Sequence, residues 1–154
     1  MSSQSGIRVQ TEAFDVADVI AGLGAGNPAI GAIASFIGLV RDVNDGVPVT
    51  TMTLEHYPGM TEKALQAIVA DAHARWDLID VAVVHRVGEL RPADPIVLVA
   101  VASAHRGDAF QACEFIMDFL KTRAPFWKRE ENSQGTRWVE SRSSDTRAAG
   151  RWKT

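Results

Sequence analysis

The sequence predicts an α+β protein, a mixed sheet with packed helices. Apolar, β-rich runs arrive in pairs, 29–41 with 49–57 and 79–87 with 95–104, and two long segments of helical periodicity follow those pairs. A doubly wound sheet would instead alternate strand and helix singly. At 154 residues the chain fits one domain, 1–154, with residues 1–6 and 143–154 as loose tails, and can bury a sizeable core unaided.

Taken in order, Ile7 and Val9 alternate with Arg8 and Gln10 as a short strand, and 15–23 supplies one or two helical turns before a Gly-rich loop that ends at Pro28. Residues 29–41, with Ile30, Ile33, Phe36, Ile37, Leu39 and Val40, suit a strand buried on both faces. Asn44-Asp45-Gly46 reads as a turn, and 49–57 as the next strand. Pro58-Gly59 stops it, and Thr61 is placed to cap a helix that reaches Trp76 with a stripe at Ala64, Leu65, Ile68, Val69 and Ala72. Strands at 79–87 and 95–104 flank a connection at 88–94. The second long helix spans 108–123, with Asp108 as its cap, a wide apolar face, and Gln111, Glu114 and Asp118 toward water. A last short strand covers 136–141, and the polar tail beyond has one anchor, Trp152.

A net charge of −3 argues against general nucleic-acid binding, which needs a broad cationic surface, so any anion site is local. The single cysteine, Cys113, excludes an internal disulfide, and no Cys/His spacing suggests a metal site; no cofactor is implied either. A polar N-terminus and short apolar runs leave no membrane span and make the cytoplasm the expected compartment. Nucleophile elbow, P-loop and dinucleotide fingerprint are all missing.

Chemistry concentrates in Lys121-Thr-Arg-Ala-Pro-Phe-Trp-Lys-Arg-Glu-Glu131, four cations and two aromatics before the first acid. Pro125 ends the helix, so Lys121 is helical and Lys128 is not, and an aromatic turn between them lets both converge on one small anion. The plainer reading is a basic helix ending that complements the macrodipole. Phe126 and Trp127 are core plugs or a flat wall for a ring-shaped ligand. At 103–108, Ser-Ala-His-Arg-Gly-Asp sits at a strand-to-helix junction, where free N–H groups, His105 and Arg106 suit an anion. Arg41 is the first charge after a long apolar strand. His56, His73 and His85 read as packing or surface groups, and Cys113 as a small core hydrophobe.

Three stretches, Leu54-Glu-His-Tyr-Pro-Gly-Met-Thr-Glu-Lys-Ala-Leu65, Ser103-Ala-His-Arg106 and Phe115-Ile-Met-Asp-Phe-Leu-Lys-Thr-Arg-Ala-Pro-Phe-Trp-Lys-Arg-Glu130, closely resemble the large, catalytic subunit of molybdopterin synthase. The resemblance runs from Val9 to Trp152. It implies an α/β hammerhead fold and a homodimer within a heterotetramer. It also implies a small ubiquitin-like sulfur-carrier subunit whose Gly-Gly C-terminus bears a thiocarboxylate. The implied reaction puts two sulfurs into cyclic pyranopterin monophosphate. Carried over by motif, Lys121 and Lys128 are the catalytic residues, and Leu39, Val40, Arg41, His105, Arg106, Arg129 and Glu130 bind substrate. Where the family often has a basic residue, Gly38-Leu-Val-Arg41 has Leu39, which leaves a backbone contact at that position.

The expected division of labour has Arg41, Arg106 and Arg129 holding anions, Lys121 and Lys128 moving protons, and Glu130 orienting Lys128 or balancing its charge. A rival class is a non-catalytic module that holds a nucleotide on the same basic turn. Because about 14 helical residues at 1.5 Å rise separate the His105–Arg106 junction from Lys121, roughly 20 Å, the two groups are expected to meet only across a two-fold interface.

Overall fold

Two sheets meet beside a pair of long helices in the computed structural model, which describes residues 6–132, 134–139 and 143–152. The first sheet has the order β1 (Gly6–Gln10), β5 (Leu78–Arg86), β7 (Pro95–Ser103), β2 (Ala32–Leu39), with β1–β5 parallel and the other pairs antiparallel. The second runs β3 (Val43–Asn44), β4 (Val47–His56), β8 (Phe126–Asn132), β9 (Gly135–Val139), and β6 (Gly88–Leu90) also pairs with β4. The expected α+β architecture with a mixed sheet is the one observed.

Near-continuous apolar runs place β5 and β7 at the centre, covered on both faces. On one face Val81, Val83, Val97, Val99 and Val101 pack under α2 (Met60–Arg75) and α3 (Arg106–Arg123), whose Leu65, Ile68, Phe115, Ile116 and Leu120 complete the main core. On the other, Ala82, Val84, Leu98 and Ala100 meet Val19 and Leu23 of the region around α1 (Val16–Gly22). Asp15 caps α1 by accepting from the Asp18 N–H at 3.1 Å.

Several expectations are corrected. β2 is not buried on both faces: it is the sheet's edge, paired only with β7, and Ile33, Phe36, Ile37 and Leu39 are all at least 38% exposed. Its apolar composition exceeds what one chain covers. α2 is capped at Gly59, with Glu62 Oε1 accepting from the Gly59 N–H at 2.9 Å. Thr61 instead is fully buried, its hydroxyl donating to Pro125 O and accepting from the Tyr57 N–H, each at 2.9 Å, which ties the start of α2 to the end of α3. α3 starts two residues before Asp108, with His105 as cap residue.

Residues 126–132 are a strand, not a turn, because aromatics and alternation favour pairing and both β4 and β9 offer edges. β6 forms inside the expected connection, where Gly88–Leu90 pairs antiparallel with β4. The last strand ends at Val139, and residues 140–141 lie outside the described ones. Nor is the C-terminal segment loose over its described part. Ser143–Gly150 forms helix α4 and buries Ala149 against the domain. Trp152 is the anchor expected: it packs edge-on against Trp76 and Phe115 and donates Nε1–H to Asp118 Oδ2 at 2.7 Å. Asp118 is therefore a docking acceptor rather than a water-facing acid. At the other terminus β1 starts at Gly6, and residues 1–5 are outside the described set.

Candidate active site

Pro125 sets the geometry of the site. α3 closes at Arg123, Ala124 turns extended, and β8 leaves at a new angle, so the last turn of a helix and the first residues of a strand face one cavity. Period-two alternation then sorts β8. Phe126, Lys128 and Glu130 point to the cavity, opposite His56, Leu54 and Met52 of β4, while Trp127 and Arg129 point away. The cavity, of about 530 Å³, has an apolar wall that includes Phe36, Ile37, Ile96, Val97 and Leu120, and its charged groups among the described residues are Arg41, Lys121, Lys128, Glu130 and Asp145. Flat apolar walls with a few convergent charges suit a small anionic ring compound.

Lys121 and Lys128 converge on the one cavity. Burial and then the charge of Lys121 lower the Lys128 pKa from 10.5 to about 8, against the pull of Asp145 and Glu130. A lysine in that range exchanges protons near neutral pH.

Glu130 is 2% exposed and does not reach for Lys128. Asn44 Nδ2 donates to its Oε1 at 2.8 Å and Arg137 Nη2 to its Oε2 at 3.4 Å. The same Arg137 nitrogen lies 3.3 Å from Asn44 O and 3.7 Å from Asp45 Oδ2. Glu130 therefore ties the β3–β4 hairpin, with left-handed Asp45 and Gly46 at its tip, to β8 and β9. Its effect on Lys128 is electrostatic.

The structure brings Leu39 and Arg41 to the cavity but not Val40, which is 2% exposed and spends its backbone on the 91–94 turn, donating to Asp94 O and accepting from the Ala93 N–H. Arg129 lies on the other face of β8, its guanidinium over the Trp138 ring at 5.8 Å. Exposed His105 and Arg106 occupy the opposite end of α3 and do not line the cavity within this chain. Phe126 is both a core contact and a cavity wall, whereas Trp127 is 47% exposed.

Sequence reasoning missed His85, Asn44, Arg137 and Asp145. His85 is a buried group that also lines the cavity, and its signal was its phase: it follows Val81 and Val83 on the core-facing side of β5. The others left no local signal, because each acts through a partner 7 or more residues away.

Comparison with known proteins places the chain in a family. The profile of the family described as MoaE protein matches residues 9–123. A molybdopterin synthase catalytic subunit from Ralstonia nicotianae is 66% identical over 146 residues, covering 95% of this chain and 83% of that one. The structure described as molybdopterin biosynthesis MoaE protein from Burkholderia ambifaria superposes with a TM-score of 0.83 at 57% identity, over 96% of this chain and 97% of that one. A more distant match, TM-score 0.71 at 17% identity over 89% and 92%, is a complex of subunits 1 and 2 of molybdopterin-converting factor from Helicobacter pylori, and shows the fold alone. The chain belongs to the MoaE family of molybdopterin synthase catalytic subunits, sulfurtransferases of molybdenum cofactor biosynthesis.

Proposed function

We propose that the cavity between α3 and β8 holds cyclic pyranopterin monophosphate and receives the thiocarboxylated Gly-Gly tail of a small ubiquitin-like carrier subunit. The convergence of Lys121, Lys128 and Arg41 on one cavity carries this reading. Two anions, a cyclic phosphate and a thiocarboxylate, must be drawn into one partly apolar pocket, and Arg41 supplies permanent positive charge there beside the two lysines. The thiocarboxylate sulfur bonds to the substrate carbon as a carbon–oxygen bond breaks and the leaving oxygen takes up a proton. When water then cleaves the carrier's acyl–sulfur bond, leaving the carrier with a carboxylate end, the attacking water gives up a proton. Lys128 and Lys121 pass it between them. Sulfur arrives from the carrier, so no cysteine of this chain takes part. Cys113 fits that role, since burial pushes its thiol up to about 11 and its Sγ lies 3.7 Å from Val99 O.

The site is completed by a second copy. The exposed edge formed by β2 is continuous with the cavity, because Phe36, Ile37 and Leu39 belong to both. A partner copy seated on this edge covers the apolar surface one chain leaves bare and presents its His105 and Arg106 end to the cavity. Arg129, facing away from its own cavity, meets the substrate only if that interface or the carrier brings it there. No helix among the described residues is long and apolar enough to cross a membrane, and the family's role in cofactor biosynthesis is what supports a cytoplasmic heterotetramer.

A single-turnover assay with thiocarboxylated carrier and cyclic pyranopterin monophosphate tests the function. Dithiolene formation is the expected result, whereas substrate binding without sulfur transfer would support a non-catalytic anion-binding module instead.

A further inference from the structure

Thr61 is fully buried in the first turn of α2 and joins two other elements through one atom. Its Oγ1 accepts from the Tyr57 N–H and donates to Pro125 O, each at 2.9 Å, while its own N–H donates to Tyr57 O at 2.8 Å. The strand register explains the arrangement. β4 and β8 pair Glu55 with Trp127 and His56 with Phe126, so the next step would pair Tyr57 with Pro125. Proline has no N–H, and Pro125 lies where the chain turns from α3 into β8, so that pair cannot close on itself. Tyr57 O takes the Thr61 N–H in place of the one proline lacks. A hydroxyl both donates and accepts, and Thr61 Oγ1 stands between the Tyr57 N–H and Pro125 O as the last rung of the ladder.

This rung lies at the corner that builds the cavity. Ala124 and Phe126, on either side of Pro125, both line the cavity, with Lys121 a turn earlier on α3 and Lys128 next along the same face of β8. The Phe126 N–H turns back to Ala124 O at 3.0 Å, a bond internal to the corner, so Thr61 supplies the bond that fastens Pro125 itself to another element. Thr61 is not among the residues that line the cavity, so it acts through the corner and not on substrate. On the premise that Lys121 and Lys128 carry the proton transfer, we propose that Thr61 is a positioning residue. Its hydroxyl closes the β4–β8 ladder at Pro125 and so fixes the angle at which β8 brings Lys128 to face Lys121. A side chain of the same shape without the hydroxyl would bury two unpaired backbone groups, the Tyr57 N–H and Pro125 O, and the corner would shift to satisfy them.

Three variants test this, each with its folding checked by circular dichroism. T61V keeps the shape and removes the hydroxyl, T61S keeps the hydroxyl, and T61C puts a weaker donor and acceptor in the same place. The first readout needs no substrate. Phe126 lies flat on the His85 ring, with centroids 3.8 Å apart and planes 15° from parallel, so the NMR shifts of the His85 ring protons report where the corner holds Phe126. The second is the single-turnover rate at saturating cyclic pyranopterin monophosphate. T61V is expected to move the His85 signals downfield as ring shielding is lost, and to slow transfer about tenfold, within the roughly hundredfold that a misplacement of about 1 Å costs. T61C should change both in the same direction by less, and T61S should match wild type in both. A folded T61V with the wild-type rate or the wild-type His85 signals would overturn the assignment, and so would equal losses in T61S and T61V. Where T61V does not fold, T61C with wild-type values in both readouts would overturn it. A wild-type protein that transfers no sulfur would refute the proposed function, whereas the His85 signals would still decide whether Thr61 holds the corner.

Discussion

Replacing Lys128 with methionine should stabilise the protein near neutral pH while abolishing sulfur transfer. Methionine keeps the unbranched apolar stem against Leu54 and Phe126 and removes only the amine, so no cavity opens. The folded-state pKa of Lys128 is lowered from 10.5 to about 8. The unfolded chain therefore binds more protons between those values, and stability rises with pH across that window. Below pH 8 the full penalty applies, about 3 kcal/mol for a shift of this size. Allowing for water near a group that borders a cavity, the variant should gain about 2 kcal/mol at pH 7, or roughly 4–8 °C in Tm for a chain of this length. Urea unfolding at pH 7 and pH 10 measures it. Wild type should gain stability between the two relative to the variant, which lacks this titration. A variant no more stable at pH 7, with the same pH dependence as wild type, would refute the burial argument for the lysine pair.

Further expectations concern neighbouring features. Lys121→Ala, and Lys→Arg at either lysine, should abolish single-turnover sulfur transfer with circular dichroism unchanged, since guanidinium does not give up its proton; activity in both arginine variants would reduce the lysines to electrostatic binding. Cys113→Ala should keep near-normal turnover at a stability cost of about 1 kcal/mol, because a buried thiol of raised pKa is packing and not nucleophile. Ala93 sits at φ 76° in the turn closed by the Asp94 N–H to Arg91 O bond, after Pro92, where glycine is favoured. Ala93→Gly should therefore raise stability by about 1 kcal/mol in thermal unfolding.

The parts of this molecule that were legible in the sequence are those fixed by local rules. Helical spacing from Ala109 to Leu120 placed Lys121 at the border of a buried face, and Pro125 took Lys128 out of that helix. What escaped depends on distant partners. The polar run Lys128-Arg-Glu-Glu131 does not read as a strand until β4 and β9 supply its hydrogen bonds, and only then does alternation separate Lys128 and Glu130 from Arg129. Glu130 is buried because Asn44 and Arg137 compensate its charge from two other strands. Apolar residues in β2 signalled burial correctly as a tendency, but composition does not distinguish a domain interior from a surface awaiting another chain. α4 has too few apolar residues to announce itself, and is held by Arg151 and Trp152 on Asp118 and by Arg75 on Trp152 O.

The central claim is a catalytic cavity built from two copies, with Arg41, Lys121 and Lys128 from one and His105 and Arg106 from the other. Mixing Arg106→Ala chains with Lys121→Ala chains, each inactive alone, tests it most directly. After verified subunit exchange, the mixed dimer contains one site that carries both substitutions and one that carries neither. The account predicts that dithiolene formation returns in the mixture, approaching half the wild-type activity per mixed dimer. A mixture that exchanges subunits yet stays inactive would contradict it and confine the site to a single chain.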